Sequence, residues 1–104
     1  MITTMTQFKM PSPVSRQEAK AIFQATAPTY QQVPGLIRKC YIRSEDGYSL
    51  GGVYLWESRE DAQAMYTEEW YEFVRGKYGC HPVVTFFDTP VVVDNVTREI
   101  YSHD

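Results

Sequence analysis

Two stretches with helical spacing, each opened by a serine cap, stand on either side of a pair of strand-like stretches, and few folds accommodate that order. The chain begins with an alternating segment, Met1 to Met10, in which Ile2, Thr4, Thr6 and Phe8 share one side and Met5 and Gln7 the other. Threonine favours extended backbone, and Pro11 and Pro13 end the run. Ser15-Arg16-Gln17-Glu18 follows as a capping box, with Ala19, Ile22, Phe23 and Thr26 at helical spacing behind it. Pro28 predicts an end or a kink, with a second short helical piece reaching Val33.

Pro34-Gly35 marks a turn, and Leu36 to Arg43 reads as a strand. Strict alternation divides it into Leu36, Arg38, Cys40 and Ile42 against Ile37, Lys39, Tyr41 and Arg43. Glu45-Asp46-Gly47 supplies hairpin chemistry, and Gly52 to Trp56 is the next strand, with Tyr54 and Trp56 on one face and Val53 and Leu55 on the other. Ser58 then caps a second helix whose buried stripe is predicted as Ala62, Met65 or Tyr66, Trp70 and Phe73, with Gly76 and Gly79 at its C-terminal end. Val83 to Phe87 is strongly strand-forming, Val91 to Val93 is a short apolar stretch, and the last nine residues read as a polar, frayed tail with Ile100 and Tyr101 as docking contacts.

The order β-α-β-β-α-β predicts a ferredoxin-like α+β layer over residues 1–104: four antiparallel strands with both helices on one face, and residues 91–104 as an extension. With 104 residues there is material for one core. The opposite sheet face is left bare, and a homodimer that packs two such faces together is the simplest cover. Segment 91–95 is placed to reach the neighbouring subunit.

A net charge of -3, with Lys and Arg dispersed, provides no footprint for nucleic acid or for an anionic membrane surface. No apolar run is long enough to span a bilayer and no leader pattern opens the chain, which points to the cytoplasm. Cys40 and Cys80 stand in no metal-spaced motif and read as free, buried thiols of a reducing compartment. GxGxxG, P-loop, nucleophile-elbow, HExxH and CxxC patterns are absent, so nucleotide-cofactor, serine-hydrolase and zinc chemistry are disfavoured. The aromatic content is high, eight Tyr, five Phe and two Trp, and such side chains line pockets for flat organic ligands as well as cores.

Three phrases in order, Val33-Pro34-Gly35-Leu36-Ile37-Arg38-Lys39, Gly51-Gly52-Val53-Tyr54-Leu55-Trp56-Glu57-Ser58 and Ala62 to Tyr66, resemble the YdhR-type monooxygenase family. The resemblance runs from the first strand to about Asp94. It implies a dimeric α/β barrel and a cofactor-independent oxygenation of phenolic or polycyclic compounds, with no cofactor and no metal. Many members of the wider superfamily carry a histidine in the second helix, where this chain has Met65 and Tyr66. Haem-degrading relatives need an axial histidine on a helix, whereas His81 precedes a strand and His103 lies in the tail.

A cofactor-free oxygenase needs a dry aromatic pocket, a base and donors for a developing oxyanion. The catalytic candidates are Lys39 and His81 as base or charge, Trp56 as wall or donor, and Asn95 as an amide donor. Tyr41, Tyr54, Tyr66 and Trp70 are the candidates for binding a small aromatic substrate. Each has a plainer reading: Lys39 as a solvated strand lysine, His81 as a strand-entry residue, Asn95 as a turn residue, and the aromatics as core. A non-catalytic binding protein and an isomerase or lyase remain open alternatives on the same fold.

Overall fold

The computed structural model describes residues 1–102, so His103 lies outside the described residues. Its elements are β1 (Ile2–Lys9), α1 (Arg16–Tyr30), β2 (Leu36–Arg43), β3 (Ser49–Trp56), α2 (Arg59–Met65), α3 (Glu68–Tyr78), β4 (Val83–Asp88), β5 (Val91–Asp94) and β6 (Glu99–Ser102). Four strands form an antiparallel sheet in the order β2-β3-β1-β4, the expected ferredoxin-like arrangement.

Side chains alternate across a strand, so the register assigns the two faces. Ile2, Thr4, Thr6 and Phe8 of β1 lie opposite Trp56, Tyr54, Gly52 and Leu50 of β3, and these positions are buried beneath the helices. The other face presents Met5, Val53, Leu55 and Phe87, with Phe87 46% exposed. Cys40 also sits on that face and is exposed, and Cys80 is only partly covered, so neither free thiol is buried as cysteine's usual habit predicts.

Helix α1 starts as predicted: the Ser15 hydroxyl accepts from the Glu18 N–H, and the Glu18 carboxylate accepts from the Ser15 N–H. It does not end at Pro28 but continues to the buried Tyr30, and no further helix forms before Val33. Burial of a tyrosine ring is worth about 1.5–3 kcal/mol, enough to hold one last turn against a missing hydrogen bond.

The expected second helix is two helices. The chain leaves α2 at Tyr66 (φ -79°, ψ 64°) and restarts at Thr67, whose hydroxyl accepts from the Trp70 N–H. Thr67 followed by Glu68 and Glu69 is itself a helix start, with acids at the positive end of the dipole. The restart changes the phase of the stripe: Val74 is buried, and Phe73 is 41% exposed. The C-terminal segment also departs from expectation, because Glu99–Ser102 pairs with Val91–Asp94 as a hairpin instead of fraying. Val91, Val93 and Ile100 are exposed, Val93 by 63% and Ile100 by 72%.

Candidate functional site

Lys39 reaches the interior because strand β2 is irregular. Leu36 lies opposite Trp56 and Lys39 opposite Tyr54, with a shift of register between Leu36 and Arg38. A bulge adds one residue to one strand and turns over the side chains that follow it. Lys39, Tyr41 and Arg43 therefore face the helices together with Leu36, while Arg38, Cys40 and Ile42 face the open side. Strict alternation puts Leu36 on the opposite side from Lys39, and the bulge corrects that expectation.

Once inside, the Lys39 ammonium is surrounded by tyrosine faces. Its Nζ lies 3.3 Å from the centre of the Tyr30 ring, 3.9 Å from that of Tyr41 and 4.7 Å from that of Tyr54. Aromatic faces attract cations, most strongly where water is excluded. Among the described residues no carboxylate pairs with it, the one ion pair being Arg75–Glu72 on the surface of α3. Burial disfavours the charged form and brings the Lys39 pKa down to about 7. Gly52 makes room for this arrangement, since a Cβ there would meet Lys39 Cε at 3.0 Å and Tyr54 Cε1 at 3.1 Å.

Behind the cage the aromatic side chains are cross-linked by hydrogen bonds. Trp56 Nε1 donates to the Thr4 hydroxyl at 2.9 Å, which lies 2.6 Å from the Tyr66 hydroxyl. Trp70 Nε1 donates to the Tyr30 hydroxyl at 3.1 Å. Tyr66, released at the break between α2 and α3, contacts Tyr54, Trp56, Trp70 and Phe86 edge to face. Each of these buried polar tips thus has a partner, as a low-dielectric interior requires. Burial pushes the Tyr54 and Tyr66 phenols far above their ordinary range, so they stay protonated.

Of the predicted site residues, the structure brings Lys39, Tyr41, Tyr54, Trp56, Tyr66 and Trp70 into one aromatic interior. Tyr54 and Trp56 are fully buried and serve as core, and the space enclosed against Lys39 measures only about 10 Å³. Tyr41 is the half-buried member: it stacks on Phe23 at 4.6 Å, and its hydroxyl lies 2.8 Å from that of Thr26. Outside it, a cleft of about 210 Å³ is lined by Ala27, Tyr30, Leu36, Lys39 and Tyr41, so the lysine borders solvent-accessible space.

His81 and Asn95 stand apart from this cluster. His81 is exposed before β4, stacked on Tyr71 at 5.1 Å. Asn95 is exposed in the β5–β6 turn, where the Asp94 carboxylate accepts from the Val96 and Thr97 N–H groups. Sequence reasoning missed Tyr30, Thr4 and Thr26 as site residues. The inward alternation of Thr4 beside Ile2 was the available signal for the first threonine; nothing local distinguishes Tyr30 at a helix end.

An antiparallel sheet covered on one face by helices is an architecture this chain shares with small oxygenases of known structure. It resembles the monooxygenase from ActVA-Orf6 of Streptomyces coelicolor, solved with Nanaomycin D (TM-score 0.66, 16% identity, 85% of this chain and 86% of that one). It also resembles SnoaB, a cofactor-independent oxygenase from Streptomyces nogalater (TM-score 0.60, 16% identity, 85% and 91%). A third likeness is to a Deinococcus radiodurans protein described as a "putative antibiotic biosynthesis monooxygenase" (TM-score 0.66, 8% identity, 90% and 97%). At these identities the likeness is one of fold. No curated protein matches the chain in sequence. The family model described as "Putative mono-oxygenase ydhR" matches residues 4–87, and the chain belongs to that family. Among the described residues no helix is long and apolar enough to cross a membrane.

Proposed function

We propose that this protein is a cofactor-independent monooxygenase for a small phenol or quinol, with Lys39 as its base. The observation that carries the reading is the Lys39 amine itself, held among three tyrosine faces at the wall of an open cleft, with its pKa brought to about 7. Such an amine is largely neutral at slightly alkaline pH and can take a phenolic proton. The ammonium then formed stabilises the phenolate beside it.

An electron-rich phenolate supplies dioxygen with electrons directly. Transfer of one electron gives a phenoxyl–superoxide pair, which combines at a ring carbon to form a hydroperoxide. Loss of water then yields the quinone, so that a phenol with a ring hydrogen plus O2 becomes a quinone plus H2O. The cleft outside Tyr41 gives the substrate access to the lysine, and the filled space behind Lys39 keeps it at the cleft wall. His81 and Asn95 have no part in this scheme.

The test is oxygen uptake with a panel of naphthols and hydroquinones, monitored alongside binding. Uptake with one water formed per O2 consumed is the expected result. The tight packing behind Lys39 favours a second reading, a protein that holds its ligand in the outer cleft without turnover. Binding of several panel members with no oxygen uptake would decide for that reading.

The working unit in this proposal is a homodimer. Met5, Val53, Leu55 and Phe87 form an uncovered apolar face, and the β5–β6 hairpin is a two-stranded ribbon, which is marginally stable alone. A second copy packed on that face, with each hairpin laid against its neighbour, covers both. Sedimentation velocity is expected to show a dimer that the double change Leu55→Lys and Phe87→Lys converts to monomer. A wild-type monomer at micromolar concentration sinks this part.

A further inference from the structure

We infer that the groove between α1 and β2 is a binding site for a planar aromatic anion, the acid group of which is held by Arg16 and Lys20. The groove has a volume of about 460 Å³, within the range of small-molecule sites. Its floor is apolar: Ala19 is buried, and the Phe23 and Tyr41 rings are stacked with centroids 4.6 Å apart. A flat ring system can extend that stack, gaining area and offset π contact at once.

The rim is positive in a chain whose net charge is -3. Arg16 and Lys20 project one helical turn apart from α1, and Arg43 comes from the facing strand. Among the described residues none of the three is in an ion pair. Arg43 is already oriented, since its Nε donates to the Val14 carbonyl at 2.7 Å. Arg16 and Lys20 are exposed and uncommitted, and they are the pair left for a carboxylate. Glu45 is the one acid on the rim and repels an anion from that end, which leaves the α1 side as the place for the charge.

This inference adds to the functional reading and rests on it only for the reacting end of the ligand. Tyr41 belongs both to this groove and to the cleft that borders Lys39. A ligand anchored by its acid at Arg16 and Lys20 and stacked on Phe23 therefore lies beside the cleft that the lysine borders. The substrate class that results is a hydroxylated, fused-ring aromatic acid.

The probe is 1-hydroxy-2-naphthoate, compared with its methyl ester, which keeps the rings and removes the charge. Calorimetric titration is expected to show the acid binding about tenfold tighter than the ester, with the preference shrinking as salt is raised. The double change Arg16→Glu and Lys20→Glu, at exposed positions, is expected to remove that preference while leaving the melting temperature in place. Phe23→Ala is expected to weaken acid and ester alike. Equal affinity for acid and ester, a preference the double variant retains, or failure to bind either probe overturns the inference. Oxygen uptake is read separately. Selective binding of the acid by a protein that oxidises nothing supports the groove and removes the oxygenase. Oxidation of neutral naphthols with no selectivity in the groove does the reverse.

Discussion

Methionine in place of Lys39 is expected to abolish oxygen uptake and, at the same pH, to make the folded chain more stable. The two effects have one cause. Folding takes the ammonium out of water and brings its pKa from 10.5 to about 7. A unit of pKa corresponds to about 1.4 kcal/mol, and after a discount for the solvent that still reaches this partly buried residue an uncharged side chain of the same reach gains about 2 kcal/mol. Methionine fits the slot beside Gly52 and keeps its contacts with the rings. Loss of a general base lowers the rate by about 10² to 10⁴. Thermal unfolding and an oxygen electrode check both halves. A variant that is less stable, or one that still oxidises substrate at the wild-type rate, contradicts this account.

The pH dependence follows from the same shift. Between about pH 7 and 10.5 the unfolded chain holds a proton on Lys39 that the folded chain has released. Stability contributed by this residue therefore rises with pH across that window, and below pH 7 the full penalty of the buried charge is present. The Lys39→Met variant lacks this rise. The rate has the matching dependence, kcat/KM increasing through about pH 7 as the amine becomes neutral.

How far the site can be read from the sequence depends on whether local rules and tertiary contacts agree. The inward set Ile2, Thr4, Thr6 and Phe8, the Ser15 capping box and the β-α-β-β-α-β order come from periodicity and capping, and each is present. Lys39 is recognisable as a residue type, but its face is not, because the bulge between Leu36 and Arg38 resets the alternation and no composition marks a bulge. The break at Tyr66 is written in Thr67-Glu68-Glu69, yet the apolar spacing across it reads as one continuous stripe. His81 and Asn95 are candidates by their chemistry without positional support, and they stand outside the aromatic interior. The terminal hairpin is concealed by polar side chains at strand positions whose apolar neighbours, Val93 and Ile100, are left exposed.

Alanine at Gly51 is expected to prevent folding, although it adds one methyl group. A Cβ there would overlap the Thr6 carbonyl oxygen, an atom of the β1 backbone. That oxygen cannot withdraw, because β1 is held from both sides, by β3 at every position from Ile2 to Lys9 and by β4 from Ile2 to Gln7. Relief requires β1 and β3 to separate, which breaks ladder hydrogen bonds and opens the layer that contains Thr4, Tyr54 and Trp56. Each lost buried hydrogen bond costs about 1–3 kcal/mol when its groups are left unpaired, and two or three such losses consume most of the roughly 5–15 kcal/mol that holds a small domain. Gly76 provides the control. Nothing lies within 4 Å of a Cβ at that position inside α3, so Gly76→Ala is expected to stabilise the chain by about 0.5–1 kcal/mol. Circular dichroism and urea titration of the two variants separate the cases. A cooperatively folded Gly51→Ala protein with wild-type stability would mean that β1 and β3 do not approach as closely as described, and the placement of Lys39 opposite Tyr54 would have to be reconsidered with it.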